Sequence, residues 1–294
     1  MMWQVEMGVT MDVVPIGGAL GAEIRGVSPV TMTDAEFAAY MDALHVHGVV
    51  FFPAVGLSSD EHMAFAARMG RLEVFPSARV MGGTEPGFQV IEDGPDVPIA
   101  ADRWHTDATW IDDPPRYALL HAELMPERGG DTLWASTRAV YESLSPVMQQ
   151  FLIGLEARHE SQPFIDGFME KVSGRFPEEK LADFATNLRE MFPAVNHPLV
   201  VEIPETGDRA LYLGGEVMTQ IVGLADDESE AIISMLRRRV ENPAFQIRWR
   251  WTPGDLAVWD EWSTNHRNSG DYWPQRRIIR RTEVRGGPPV AVAV

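Results

Sequence analysis

Phe245-Gln246-Ile247-Arg248-Trp249-Arg250-Trp251 alternates apolar and polar side chains at every step. A period of two is the signature of a strand, and it puts Ile247, Trp249 and Trp251 on one face and Arg248 and Arg250 on the other. Pro253-Gly254-Asp255 then turns the chain, and Leu256 to Trp259 is a short apolar run, as expected of a strand buried on both faces. Residues 276–284 read as a final strand, followed by an apolar tail from Pro288.

Working outward, short strands recur along the chain. Residues 4–28 hold apolar runs cut by Gly17-Gly18, Gly21 and Gly26, a pair of strands. Val49 to Phe52, residues 88–92, 117–124, 131–134 and 155–160, and a hairpin at 197–203 and 209–213 follow. Helices are fewer. Thr33-Asp34-Ala35-Glu36 is a capping box opening a helix over 34–46, and Ser58 to Glu61 opens a second that runs to Gly70. Residues 137–153 are expected to be helical, with Pro146 at a first helical position, and 226–240 form another helix. The stretch 164–191 reads as a helical insertion over the core and a lid candidate. Many strands with a few outer helices predict a mainly β chain with flanking helices, a double-stranded β-helix or jelly roll, better than alternating βα units. Strands at both ends predict a single domain over 1–294.

Composition limits the chemistry. There is no cysteine, so disulfides, thiolate ligands and a cysteine nucleophile are excluded. No basic, apolar leader opens the chain and no stretch is apolar for long enough to span a membrane, so the cytoplasm is the expected location. A formal charge of −18 argues against nucleic acid or an anionic membrane as a partner. Only Lys171 and Lys180 are lysines; the other basic residues are arginines. A homo-oligomer is compatible with the sequence, which does not specify the state.

The candidate chemistry starts at Trp104-His105-Thr106-Asp107. In a strand, residues two apart share a face, so His105 and Asp107 would offer an imidazole and a carboxylate to one point. One more histidine would complete two His and one carboxylate, a set suited to a non-haem Fe(II) that keeps positions open for substrate and oxygen. On its own, His-x-Asp is short enough to recur by chance. Of eight histidines, His266 is the candidate third ligand, because Arg277 lies eleven positions beyond it at the start of the last strand. A guanidinium can grip an acidic cosubstrate bidentately beside the metal, and the Thr132 hydroxyl can reach the same carboxylate. His45, His47, His62, His121, His159 and His197 read as core or surface residues. The loop marked by Gly94, Pro95 and Pro98, just before the motif, is placed to meet substrate.

Trp104-His105-Thr106-Asp107, Gly129-Gly130-Asp131-Thr132-Leu133-Trp134, and His266 followed by Asp271-Tyr272 and Pro274-Gln275-Arg276-Arg277 resemble the taurine/2,4-D dioxygenase family. The resemblance extends over nearly the whole chain and includes residues 245–251. It implies a dioxygenase that hydroxylates a small anionic organic substrate with O2 and 2-oxoglutarate, giving succinate and CO2. It further implies that His105, Asp107 and His266 hold Fe(II), that Thr132 and Arg277 hold 2-oxoglutarate, and that Arg281 takes the position of a sulfonate-binding arginine. Arg276, Arg280 and Arg285 are expected to form a solvated basic edge. Ala101 and Phe75 fall where taurine dioxygenase has an asparagine and a histidine in contact with its substrate. Both changes remove polar partners, which favours a larger or greasier anion than taurine: an alkyl sulfate, an aryl carboxylate or a longer sulfonate. A zinc hydrolase built on the same ligands, or a silent jelly-roll binding module, are the alternatives. The first leaves Arg277 and Thr132 without a task, and the second has no need of three intact ligands.

Overall fold

A computed structural model describes residues 11–95, 102–172 and 174–293. Ala101, most of the loop before His105, and residues 4–10 of the expected first strand lie outside this set.

Fully buried strands need cover on both faces, and Val49–Phe52 shows how it is supplied. Val50 and Phe52 point to a core with Tyr40, Leu44 and Phe65 of the two N-terminal helices, Asp34–His47 and Ser59–Met69. Val49 and Phe51 point the other way, to Trp134, Trp251 and Trp259. Leu256–Asp260, hydrogen-bonded beside Val49–Phe52, alternates in the same way. The sheet runs Asp12–Pro15, Ala22–Arg25, Val49–Phe52, Leu256–Asp260, Pro115–Leu124, Arg277–Arg285, Gln89–Asp93 in space. Facing it is a smaller sheet in the order Gln246–Trp249, Thr132–Ser136, Thr264–Asn268. The fold is a jelly roll with flanking helices.

The space between the sheets is filled by aromatic rings. Phe51 stacks on Trp249 at 4.1 Å and meets Trp134 edge-on at 5.3 Å. Trp134 is fully buried, and truncating it to alanine would cost about 3–5 kcal/mol through lost burial and the cavity left behind. This explains the alternation of residues 245–251: Ile247, Trp249 and Trp251 pack inward. Arg248, on the other face, pairs with Asp131 at 2.5 Å and Asp271 at 2.9 Å.

Both capping boxes form; the Thr33 amide donates to Glu36 and the Ser58 amide to Glu61, each at 2.8 Å. The helix expected over 137–153 is two helices, Thr137–Glu142 and Pro146–Leu152. Pro146 has no N–H to give to the preceding turn and holds Ser145 extended, so one helix ends and another is capped by Ser145. The 164–191 insertion contains helices Gln162–Val172 and Glu178–Met191. Their apolar residues Ile165, Ala185 and Leu188 pack on Trp110 and Ile111, which follow the His-x-Asp motif. Among the described residues, no helix is long and apolar enough to cross a membrane.

Candidate active site

His105 does not lie in a continuous strand. It forms one antiparallel bridge with His266: each amide donates to the other residue's carbonyl, at 3.0 and 2.9 Å. This bridge brings the two imidazoles together, with centroids 4.2 Å apart. His266 itself sits in Thr264–Asn268, paired opposite Trp134.

Asp107 corrects the strand expectation, because a turn has begun there. Its amide donates to Glu261 Oε2 at 3.1 Å instead of to a strand neighbour. Ala108 next to it has φ +47°, a left-handed conformation that costs a non-glycine residue about 1–3 kcal/mol. Thr106 fastens the segment, donating to the Thr264 carbonyl at 3.1 Å and accepting from Asn265 Nδ2 at 2.8 Å. Gly215 passes so close beneath that a Cβ there would lie 2.4 Å from the Trp104 carbonyl oxygen.

The result is a three-atom cluster. His105 Nε2 lies 3.5 Å from Asp107 Oδ1, and His266 Nε2 lies 3.8 Å from Asp107 Oδ2. One donor atom from each residue falls within 4.8 Å of the others. Among the described residues no other group of three such side chains converges in this way. His105 Nδ1 donates to the Arg103 carbonyl at 2.8 Å, and since a carbonyl can only accept, the Nε2 lone pair is left for the cluster. Burial, reinforced by His105, pushes His266 down to about 3, so its ring is neutral at pH 7. Burial works against the charged form of Asp107, but Arg281, His266 and His105 outweigh it and hold the carboxyl well below the usual carboxylate range. Two imidazole nitrogens and an ionised carboxylate on one side of a point fit a divalent metal with open coordination positions.

Arg277 and Arg281 stand four residues apart on the Arg277–Arg285 strand. Arg277 is buried; its Nη2 donates to Thr132 Oγ1 at 3.2 Å and its Nε to the Gly130 carbonyl at 3.1 Å. Trp251 Nε1 donates to the same hydroxyl at 2.9 Å. Gly130 reaches this position with φ +76°, which favours glycine. Arg281 Nη1 donates to Asp107 Oδ2 at 2.7 Å, its Nη2 to Gln89 at 2.8 Å, and its guanidinium lies 5.4 Å over the Phe75 ring. Thus Arg277 meets Thr132, and Arg281 meets Phe75 and Asp107. Arg276 is exposed and paired with Glu92. Arg280 is not solvated: it is buried against Glu123 and the Leu57 carbonyl, and Arg285 pairs with the buried Glu73.

Sequence reasoning missed four contributors. Glu261 accepts from Asp107 and, at 2.8 Å, from Trp259 Nε1, and burial followed by the nearby Asp107 charge pushes its carboxyl well above the usual range. Glu283 lies 3.4 Å from Arg281 and is pushed up to about 8, first by burial. Gln89 and Asp93 face Arg281 and Arg277 across the sheet edge. The strand at 88–92 was legible, but its partner and register were not.

A family model described as "Taurine catabolism dioxygenase TauD, TfdA family" matches residues 12–282. The chain belongs to this family. It is 33% identical to an alpha-ketoglutarate-dependent sulfate ester dioxygenase of Pseudomonas putida, over 96% of this chain and 92% of that one. To an alkylsulfatase of Acinetobacter baylyi it is 32% identical, over 92% of this chain and 83% of the relative. A taurine dioxygenase structure from Burkholderia xenovorans superposes with a TM-score of 0.76 at 29% identity, covering 96% of this chain and 93% of that one. As a TauD/TfdA-family member, the protein is an Fe(II)- and 2-oxoglutarate-dependent dioxygenase.

Proposed function

We propose that His105, Asp107 and His266 hold the Fe(II), that Arg277 and Thr132 hold the far carboxylate of 2-oxoglutarate, and that Arg281 receives the head of an anionic substrate. The observation that carries the reading is the convergence of the three donor atoms within 4.8 Å beside a strand that sends in both arginines. When bound, iron and 2-oxoglutarate supply the oxidising chemistry, in which O2 and the decarboxylation of 2-oxoglutarate to succinate deliver one oxygen atom into a C–H bond. The protein's part is placement. Arg277 and Thr132 set the angle of the cosubstrate, Glu261 holds the Asp107 backbone, and Arg281 brings the carbon next to the anionic head toward the metal.

The body of the substrate has an apolar wall. Ala108, beside Asp107, is one of several half-buried apolar residues, Val80, Met169, Phe184 and Val217 among them, that pack against the cluster around Trp110, and Phe75 adds a ring beside Arg281. This surface and the two sulfate-ester relatives favour an alkyl sulfate. Hydroxylation of the carbon bearing the ester oxygen gives a hemiacetal sulfate, which collapses to an aldehyde and inorganic sulfate. Succinate release across a panel of sulfates, sulfonates, aryloxyacids and amino acids tests the reading. A longer alkyl sulfate should give the best turnover and taurine a poor one. Best turnover with a neutral or cationic compound would exclude the anion site while leaving the iron and 2-oxoglutarate assignments standing.

A further inference from the structure

The cosubstrate anchor is linked to the helical cover through one buried carboxylate. Asp93 lies opposite Arg277 in the sheet and is 1% exposed. Its Oδ2 accepts from the Tyr272 hydroxyl at 2.7 Å and lies 3.8 Å from Arg277 Nη1. Among the described residues its Oδ1 has no hydrogen-bond partner, and Lys171 Nζ, from the Gln162–Val172 helix, lies 3.8 Å from it. Lys171 is near the end of the Gln162–Val172 helix, whose Ile165 belongs to the buried cluster around Trp110 and whose Met169 packs against that cluster. It is one of two lysines in the chain. Three quarters of its side chain is covered, at 24% exposure, more than a solvated surface lysine would be.

The charge count around Arg277 gives this contact a consequence. One guanidinium faces Asp93 already, and 2-oxoglutarate brings a second carboxylate to it. Two anions beside a single buried cation repel each other in a region of low dielectric. A second cation next to Asp93 offsets that repulsion. We infer that Lys171 is a positioning residue that couples the helical cover to the cosubstrate: it neutralises Asp93 when 2-oxoglutarate occupies Arg277, and 2-oxoglutarate in turn draws the cover down. The inference rests on the assignment of Arg277 as the 2-oxoglutarate anchor. Linkage makes the effect reciprocal, so whatever the cover gains from the cosubstrate, the cosubstrate gains from the cover.

The test uses the full-length Fe(II)-loaded enzyme under nitrogen, where no turnover occurs. Lys171→Met keeps the length and apolar stem of the side chain and removes only its charge; Lys171→Arg keeps the charge. Titration with 2-oxoglutarate should show affinity weakened by roughly two- to fivefold in Lys171→Met, the scale of one partly covered ion pair, and near wild type in Lys171→Arg. Hydrogen exchange should slow across 162–191 when 2-oxoglutarate is added to the wild type and to Lys171→Arg, and should not slow in Lys171→Met. Wild-type affinity in Lys171→Met, or slowing that survives the substitution, overturns the coupling. Failure of the wild type itself to bind 2-oxoglutarate would remove the Arg277 assignment and the coupling with it, a different result from a wild type that binds and a variant that matches it.

Discussion

Arg277 and Arg281 stand four residues apart on one strand, yet they are held in opposite ways. Arg277 donates to neutral acceptors, the Gly130 carbonyl and the Thr132 hydroxyl, and keeps its carboxylate, Asp93, at 3.8 Å. Arg281 is bonded to an ionised carboxylate at 2.7 Å, and that carboxylate is Asp107, one of the three clustered donors. An arginine with neutral partners presents nearly its full charge to an incoming anion. An arginine already paired presents less, and whatever binds it is felt at the metal end. On the proposed assignment, one strand carries a dedicated anchor at one position and a residue shared between the substrate and metal sites at another.

The largest effect should come from the point that both arginines surround. His105→Ala, Asp107→Ala and His266→Ala should each reduce substrate-dependent oxygen use to background with the fold retained by circular dichroism. Each should lose more metal than the roughly 10–100-fold in affinity that removing an outer partner costs. Full activity in any one of these variants would strike that residue from the ligand set.

Arg277→Ala comes next, weakening 2-oxoglutarate binding by about 2–5 kcal/mol, the cost of leaving a charged partner unpaired. Arg277→Lys should rescue only part of this, since lysine lacks the planar fork. Anaerobic titration of the Fe(II) enzyme reads both; unchanged affinity in Arg277→Ala would end its role as anchor.

Arg281→Ala should raise the KM for the best anionic substrate by about 10²-fold, close to 3 kcal/mol, while 2-oxoglutarate affinity changes little. The bond to Asp107 adds an expectation that strand spacing alone does not supply: iron affinity should fall as well, by about tenfold. Normal metal binding in this variant would show the two functions to be separable and would break the contrast with Arg277.

Phe75→Ala should have the smallest effect. Its ring lies 5.4 Å under the Arg281 guanidinium, and such a contact is worth about 0.5–1 kcal/mol near a surface. A KM increase of about two- to fivefold, without change in metal content, is the expected result. A loss as large as that of Arg281→Ala would mean that Phe75 touches the substrate itself.

The features legible in the sequence were those set by neighbours along the chain. Alternation in residues 245–251 identified the strand and its inward face, because side-chain direction in a strand depends on local geometry alone. Thr33 with Glu36 and Ser58 with Glu61 marked two helix starts for the same reason. A spacing of four puts Arg277 and Arg281 on one face of a strand for the same reason; that His105 meets His266 came from the family resemblance and not from local geometry.

The rest depended on which distant segments meet. Asp107 left the strand geometry because Glu261, 154 residues away, captured its amide, and Ala108 took up a strained turn to allow it. Arg280 looked like part of a solvated edge until Glu123 and the Leu57 carbonyl, both far off in sequence, enclosed it. Asp93 and Lys171 could not be assigned a role without knowing that Gln89–Asp93 pairs with Arg277–Arg285 and that the covering helix reaches that edge. Strand and helix signals arise from sterics and hydrogen bonds within a few residues, so the sequence by itself determined them. Ion pairs across sheet edges depend on register and packing between remote segments, and those were decided only when the chain closed into its tertiary structure.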